Sequence, residues 1–280
     1  MHFVHYNSYT YMINIKRVFS KKNRVLLAEL VRTDFKLRYQ GSALGYAWSL
    51  LRPLFLFCIL YIVFVKFLKF GGDIPHYPVY LLLGIVMWNF FDEITSQSLA
   101  SIVGRGDLIR KINIPRWIIV ISSSLSSLIN LGLNLVVVGV FMAINMVPLQ
   151  ATAILLPLSL LELYIFALGL SLFLSAAFVK YRDISYIWEV LMRAGFYLTP
   201  IIYTMARIHN VTMQKLIMLN PVAQSIQNAR YSLVTHKTIT TYSVFDGGPY
   251  MYIPLLIVVI TLIFGVLYFK RESKYFAENI

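Results

Sequence analysis

The sequence predicts an all-α integral membrane protein. Six transmembrane helices are joined by an N-terminal amphipathic interface helix, a short cytoplasmic helix and short re-entrant helices on the outer side. Three observations carry this. Of 280 residues, 59% are hydrophobic and 13% charged, where a soluble domain carries about a quarter charged residues, and the mean hydropathy is +0.70. Six apolar runs each approach or exceed the ~20 residues that cross a bilayer. The Lys and Arg residues are distributed unevenly between the two sets of connections: 17 of 25 fall in segments 1–45, 103–117, 179–183 and 270–280. That bias places those segments, and both termini, in the cytoplasm.

Residues 1–21 are polar and aromatic without a period and read as a cytoplasmic tail. From residue 22 to 45, Leu27, Leu30, Val31, Phe35 and Tyr39 recur at mostly three- and four-residue spacing among Arg24, Arg32, Lys36 and Arg38. Such a helix is too charged to cross and suits the interface. Gly41 and Gly45 interrupt it, as a hinge or as a helix contact. The six-span domain, 46–272, has spans at about 46–68, 78–102, 117–146, 152–178, 184–205 and 250–269. Residues 273–280 form a cytoplasmic C-terminus. The outer segment 206–249 breaks an otherwise tight loop plan. Its apolar Leu216–Leu219 stretch precedes Asn220-Pro221 and then Val222, Ile226, Tyr231 and Leu233. Two short helices dipping into the outer face fit better than a solvated loop. Five serines between Ser122 and Ser127 mark the third span for close packing or for a polar conduit.

Between the second and third spans lies a charged island, Gly104–Trp117. Leu108, Ile109 and Ile112 give one short helix an apolar side, with Asp107, Arg110 and Lys111 around it, and Pro115 ends it. The island is either a docking surface or a basic loop that fixes orientation. A net charge of +13 would suggest nucleic acid in a soluble protein; here it reads as loops facing anionic headgroups, with no nucleic-acid partner. The single cysteine, Cys58, excludes an intrachain disulfide, and the scattered histidines offer no metal site. No P-loop, H-E-x-x-H or G-x-S-x-G occurs, so no cofactor or catalytic centre assembles in this chain.

Charges inside spans are costly and face protein or water. By the helical rise, Arg52 lies about 9 Å inward from the cytoplasmic start of its span, and Asp92 and Glu93 about 15 Å from the cytoplasmic end of theirs. An Arg52 pair with either acid is geometrically reasonable. Glu189 and Arg193 are spaced i, i+4 with the acid first, and Glu162 can approach Arg193 near the midplane. These charges are packing pairs or they meet a substrate. Trp48 and Phe55 share a face with Arg52, and Trp88 and Phe91 share one with Asp92; such faces are core packing or the lining of a passage.

The order of parts resembles the polysaccharide-export permeases of the type-2 ABC exporter class. The most specific match is LVRTDFKLRYQGSALGYAWSLLRPL (Leu30–Leu54). MWNFF (Met87–Phe91), the trailing Ile114–Arg116, KYRDI (Lys180–Ile184), YLTPIIY (Tyr197–Tyr203) and Asn220, Pro221 and Arg230 also fit. The resemblance implies a homodimer bound to two separate ATP-binding-cassette ATPase subunits, which hold the ATP and magnesium. Residues 104–116 would be the coupling helix, with Asp107, Leu108, Ile109, Arg110, Lys111 and Ile112 meeting the ATPase. Residues 206–235 would be outer gate helices that include Asn220, Pro221 and Arg230. Trp48, Arg52, Phe55, Trp88, Phe91 and Asp92 would line the passage, and Arg38 and Arg52 would meet the diphosphate of a polyprenyl-linked polysaccharide such as O-antigen or teichoic acid. The expected setting is the bacterial inner or plasma membrane. A permease of the same fold for a small lipid or drug, or a membrane enzyme of glycolipid metabolism, are the alternatives.

Overall fold

The computed structural model describes residues 20–39, 45, 47–69, 74–111 and 114–279, without the side chains of 35, 37–39, 277 and 279. Among the described residues the chain is helical throughout, and five helical segments are long and apolar enough to cross a membrane. The amphipathic helix α1 (Lys21–Tyr39) comes first. Gly45, at φ 47°, takes the left-handed conformation that glycine adopts without strain, and α2 (Ala47–Leu60) follows, continuing as a π-helical turn over Tyr61–Phe67.

Helix α3 (Tyr77–Ser101) is the centre of the bundle. Its residues from Val79 to Trp88 are all buried, and it packs against α5 (Trp117–Ile144), α6 (Leu156–Lys180) and α9 (Pro221–Leu233). Prolines sit at the first turns of α3, α6 and α9, where the missing N–H leaves no bond unmade. The tightest crossing joins α6 to α11 (Ile253–Glu272). Gly169 lies so close that an added Cβ would be 2.8 Å from the Leu262 backbone, and Gly265 abuts the Gly169 carbonyl. The serines of α5 resolve toward packing: Ser122, Ser124, Ser126 and Ser127 are buried and donate to carbonyls one turn back on their own helix.

The expected span 184–205 is shorter than the sequence suggested. Helix α7 covers only Ile184–Leu198, and 15 residues rise about 22 Å against a hydrocarbon core of about 30 Å. Thr199 is extended because a proline follows it. The next residues, Pro200, Ile201 and Ile202, are buried without being helical, so their carbonyls need donors from elsewhere in the protein. Arg230 donates to the Pro200 and Ile201 oxygens, and the Tyr77 hydroxyl donates to that of Ile202.

Beyond this break the outer segment folds as α8 (Val211–Met218) and α9, separated at Asn220-Pro221. Asn210 and Asn220 cap them, the Asn210 side chain accepting from Thr212 and Met213 N–H and that of Asn220 from Val222 N–H at 3.0 Å. A four-residue helix, α10 (Thr241–Val244), leads into α11. At the other end of the bundle, α12 (Phe276–Asn279) folds back and buries Phe276 beside Ile102, Ile114 and Phe269.

Candidate functional site

The island folds as a 3-10 turn, Val103–Arg105, and the helix α4 (Gly106–Lys111). Asp107, Arg110 and Lys111 are exposed, whereas Leu108 and Ile109 are half-buried against the cluster that holds Phe276. The apolar side expected to point outward is thus shared with the chain's own core, because α12 folds back beneath it. Ile112 lies outside the described residues. The α1 helix is tied to this end by an ion pair between Asp34 and Arg105, and Arg105 also donates to Ser122 Oγ at 3.0 Å. Burial lowers the Arg105 pKa by desolvation, and the Asp34 carboxylate and Ser122 hydroxyl replace the water it has lost. Asp34, which composition did not distinguish from other interface-helix charges, is therefore a joint between α1 and the island.

A cavity of about 570 Å³ opens between α2, α3 and α5, bordered by Trp48, Arg52, Asp92, Glu93, Asn130 and Asn134. By the helical rise, Asn130 is about 12 Å along α5 from the Ser122–Arg105 level, well inside the apolar stretch. Three of the expected passage residues meet here: Trp48, Arg52 and Asp92. Among the described residues, Arg52 makes no ion pair with Asp92 or Glu93. Instead Glu93 accepts from Asn130 Nδ2 at 2.7 Å and from Gln97 Nε2 at 3.1 Å, while Asp92 accepts from Ser96 at 2.9 Å. Neighbouring amides and a hydroxyl, rather than the arginine, offset the cost of placing these carboxylates in the bundle.

Trp88 and Phe91 are elsewhere. Both are buried on the opposite side of α3, Phe91 stacked on Phe166 at 5.8 Å and Trp88 edge-on to Phe196 at 6.0 Å. Gly195 of α7 makes room for the Trp88 ring: an added Cβ would lie 2.8 Å from its edge. The reason is rotational. Successive residues turn by 100°, so Phe91 and Asp92 cannot share one narrow face, and the side lining the cavity runs through Val86, Asn89, Glu93 and Gln97. Phe55 is 54% exposed on α2, outside the cavity. The Arg38 side chain lies outside the described residues.

Arg230 is the largest departure from the expected site. It is fully buried, donates to the Tyr80, Pro200 and Ile201 carbonyls and to Gln227 Oε1, and lies 3.7 Å over the Tyr80 ring. Gly84 leaves space for its guanidinium. This is a clamp joining α9, α3 and the broken end of α7. Asn220 and Pro221 act locally, starting α9. Glu189 and Arg193 form the expected i, i+4 ion pair, exposed on α7. Glu162 is half-buried and, among the described residues, does not pair with Arg193; its Oε1 has no hydrogen-bond partner there.

Five helical segments long and apolar enough to cross a bilayer define a multi-pass membrane protein. Residues 25–234 match the family described as ABC-2 type transporter, and the chain belongs to that family. It is accordingly a transport subunit rather than an enzyme, and membership implies an ATP-binding-cassette partner. Among curated relatives, it is 27% identical over 259 residues to an O-antigen export system permease protein RfbA of Myxococcus xanthus, covering 92% of this chain and 96% of that protein. It is 28% identical over 256 residues to a protein of the same name from Klebsiella pneumoniae, covering 90% and 94%.

Proposed function

We propose that this chain is the permease of an ATP-driven exporter that moves a lipid-linked cell-surface polysaccharide, of the O-antigen kind, from the cytoplasmic to the outer side of a bacterial inner or plasma membrane. The observation that carries this reading is end-to-end similarity to two O-antigen export permeases, spanning 90% or more of every chain. Geometry supports it at two exposed stripes. On α2, Trp48, Arg52 and Phe55 are exposed together; on α7, Tyr186 and Tyr197 are exposed around the Glu189–Arg193 pair. Charges of this kind are unfavourable against lipid. A second copy covering both stripes encloses them, and the passage runs between the two permeases in a complex of two permeases and two ATPases.

In this reading the island end is cytoplasmic, and the exposed Asp107, Arg110 and Lys111 on α4 meet the ATPase, while Leu108 and Ile109 hold α4 to its own bundle. Disrupting the gene should abolish surface polysaccharide and leave lipid-linked glycan inside the cell, with recovery on complementation. Surface polysaccharide that persists unchanged would overturn the proposal. Arg110→Glu with Lys111→Glu should lower ATPase co-purification at least tenfold without affecting membrane insertion, as measured by affinity pull-down.

A further inference from the structure

The cavity between α2, α3 and α5 has a chemical bias that narrows what it can hold. Asn130 is only 7% exposed, and its Nδ2 donates to Glu93 Oε2. A carboxylate accepts and cannot donate, so this bond sets which end of the amide is nitrogen. The Asn130 Oδ1 is then a buried acceptor with no hydrogen-bond partner among the described residues. Native proteins rarely leave such an atom unsatisfied. Next to it, Asn134 Nδ2 is occupied by the Asn130 and Ser49 carbonyls, and Asp92 and Glu93 add carboxylate acceptors. The buried part of the lining is therefore left with acceptor capacity, while Arg52 keeps donors at the exposed side.

A ligand that satisfies the buried Asn130 Oδ1 has to donate a hydrogen bond. A phosphate or diphosphate ionised at neutral pH accepts instead; it would leave Asn130 Oδ1 unsatisfied and place negative charge beside two carboxylates. An ammonium group donates, but it has no lone pair to accept from Arg52 in the same lining. An uncharged ring bearing several hydroxyls meets each condition: it donates to Asn130 and Asp92, accepts from Arg52, and lays its apolar face on the Trp48 indole at the mouth. The volume of about 570 Å³ lies within the range of small-molecule sites.

We propose that the cavity bordered by Trp48, Arg52, Asp92, Glu93, Asn130 and Asn134 is a sugar subsite, which reads hydroxyl groups and not the phosphate of a lipid-linked glycan. This rests on the exporter reading for the source of the sugar, but not for its chemistry. Any phosphate attached to the bound ring then lies outside the acceptor-rich part, toward the exposed Arg52.

The test is binding to the full-length permease in lipid nanodiscs, with three probes: a polyprenyl diphosphate carrying one hexose, the same lipid with a bare diphosphate, and a free methyl hexoside. The hexose-bearing lipid should bind about tenfold more tightly than the bare lipid, equivalent to about 1.4 kcal/mol. Asn130→Leu should bring the two affinities to within about twofold while leaving that for the bare lipid unchanged. Trp48→Ala, at a 46% exposed position where truncation spares the fold, should reduce the preference about threefold and serves if Asn130→Leu does not fold. Equal affinity for the two lipids, or a preference untouched by the folded variants, would overturn the subsite. Transport of glycan by the complete exporter, assayed in parallel, would in that case leave the exporter reading standing. Free hexoside bound as tightly as the lipid-linked one, with the same dependence on Asn130, would uphold the hydroxyl chemistry and count against a lipid-linked source.

Discussion

Helices α2 and α3 invert the rule that governs soluble proteins. The α2 segment, Ala47–Phe67, is the more hydropathic of the two, yet little of it is buried; α3 is the least hydropathic of the five crossing segments, and most of it is buried. In water the greasier helix would go inside. In a bilayer there is no such penalty on exposed apolar groups, so Phe55, Ile59, Ile62 and Phe67 can remain on the outside of α2, facing lipid or another copy. The polar groups of α3 and its neighbours have to find one another instead. Hydropathy therefore marks which helices cross, while burial follows the polar and small residues that must be satisfied or fitted.

The largest test of that contrast is Arg230, which holds α3 to α9 and to the broken end of α7. Arg230→Ala removes the donor to three buried carbonyls, and at about 1–3 kcal/mol for each acceptor left unsatisfied the loss should be about 3 kcal/mol or more. It should appear as a sharp fall in the unfolding temperature of the detergent-solubilised permease, which Arg230→Lys does not restore because an ammonium cannot span three divergent oxygens.

A smaller effect is expected where backbone meets backbone. Gly265→Ala drives a methyl group into the Gly169 carbonyl, and overpacking of this sort costs about 1–3 kcal/mol. The same unfolding measurement reads it, and Gly139→Ala on α5, where an added Cβ meets nothing within 4 Å, is the control that should leave the midpoint unchanged or slightly raised.

The smallest effect belongs to α2. Ile59 is 60% exposed, so Ile59→Ala should change the stability of a single permease by no more than about 0.5 kcal/mol. A loss greater than this in the dimer but not in the isolated permease would show that the second copy buries the α2 face.

Parts of the site could be read in advance, and parts could not. Asn220-Pro221 announces a helix start because capping and proline chemistry are local, and α9 begins there. Trp48, Arg52 and Asp92 do border one cavity. Trp88 and Phe91, expected on one face with Asp92, lie on the far side of α3, since an i, i+3, i+4 stripe spans about 100° and the cavity meets that stripe only at Asp92. Asn130 and Asn134 carry a signal of their own in the sequence: two amides spaced i, i+4 within an apolar span share a face and require partners. The serines a turn or two earlier on the same helix bond back to their own backbone.

What the sequence determined by itself was everything set by local chemistry: which segments are apolar enough to cross, where prolines and glycines stop them, and the cationic excess of one set of loops. The tertiary structure alone decided the rest. It turned Leu108 and Ile109 partly inward under Phe276, ended α7 at Leu198 and met the buried Pro200 carbonyl beyond it with a donor from Arg230, 30 residues further along. It also replaced the anticipated Arg52–carboxylate pair with amides from α3 and α5. The physical reason is that a buried polar group accepts any partner of the right hydrogen-bonding sense, and which one reaches it depends on helix rotation and depth that no single segment encodes.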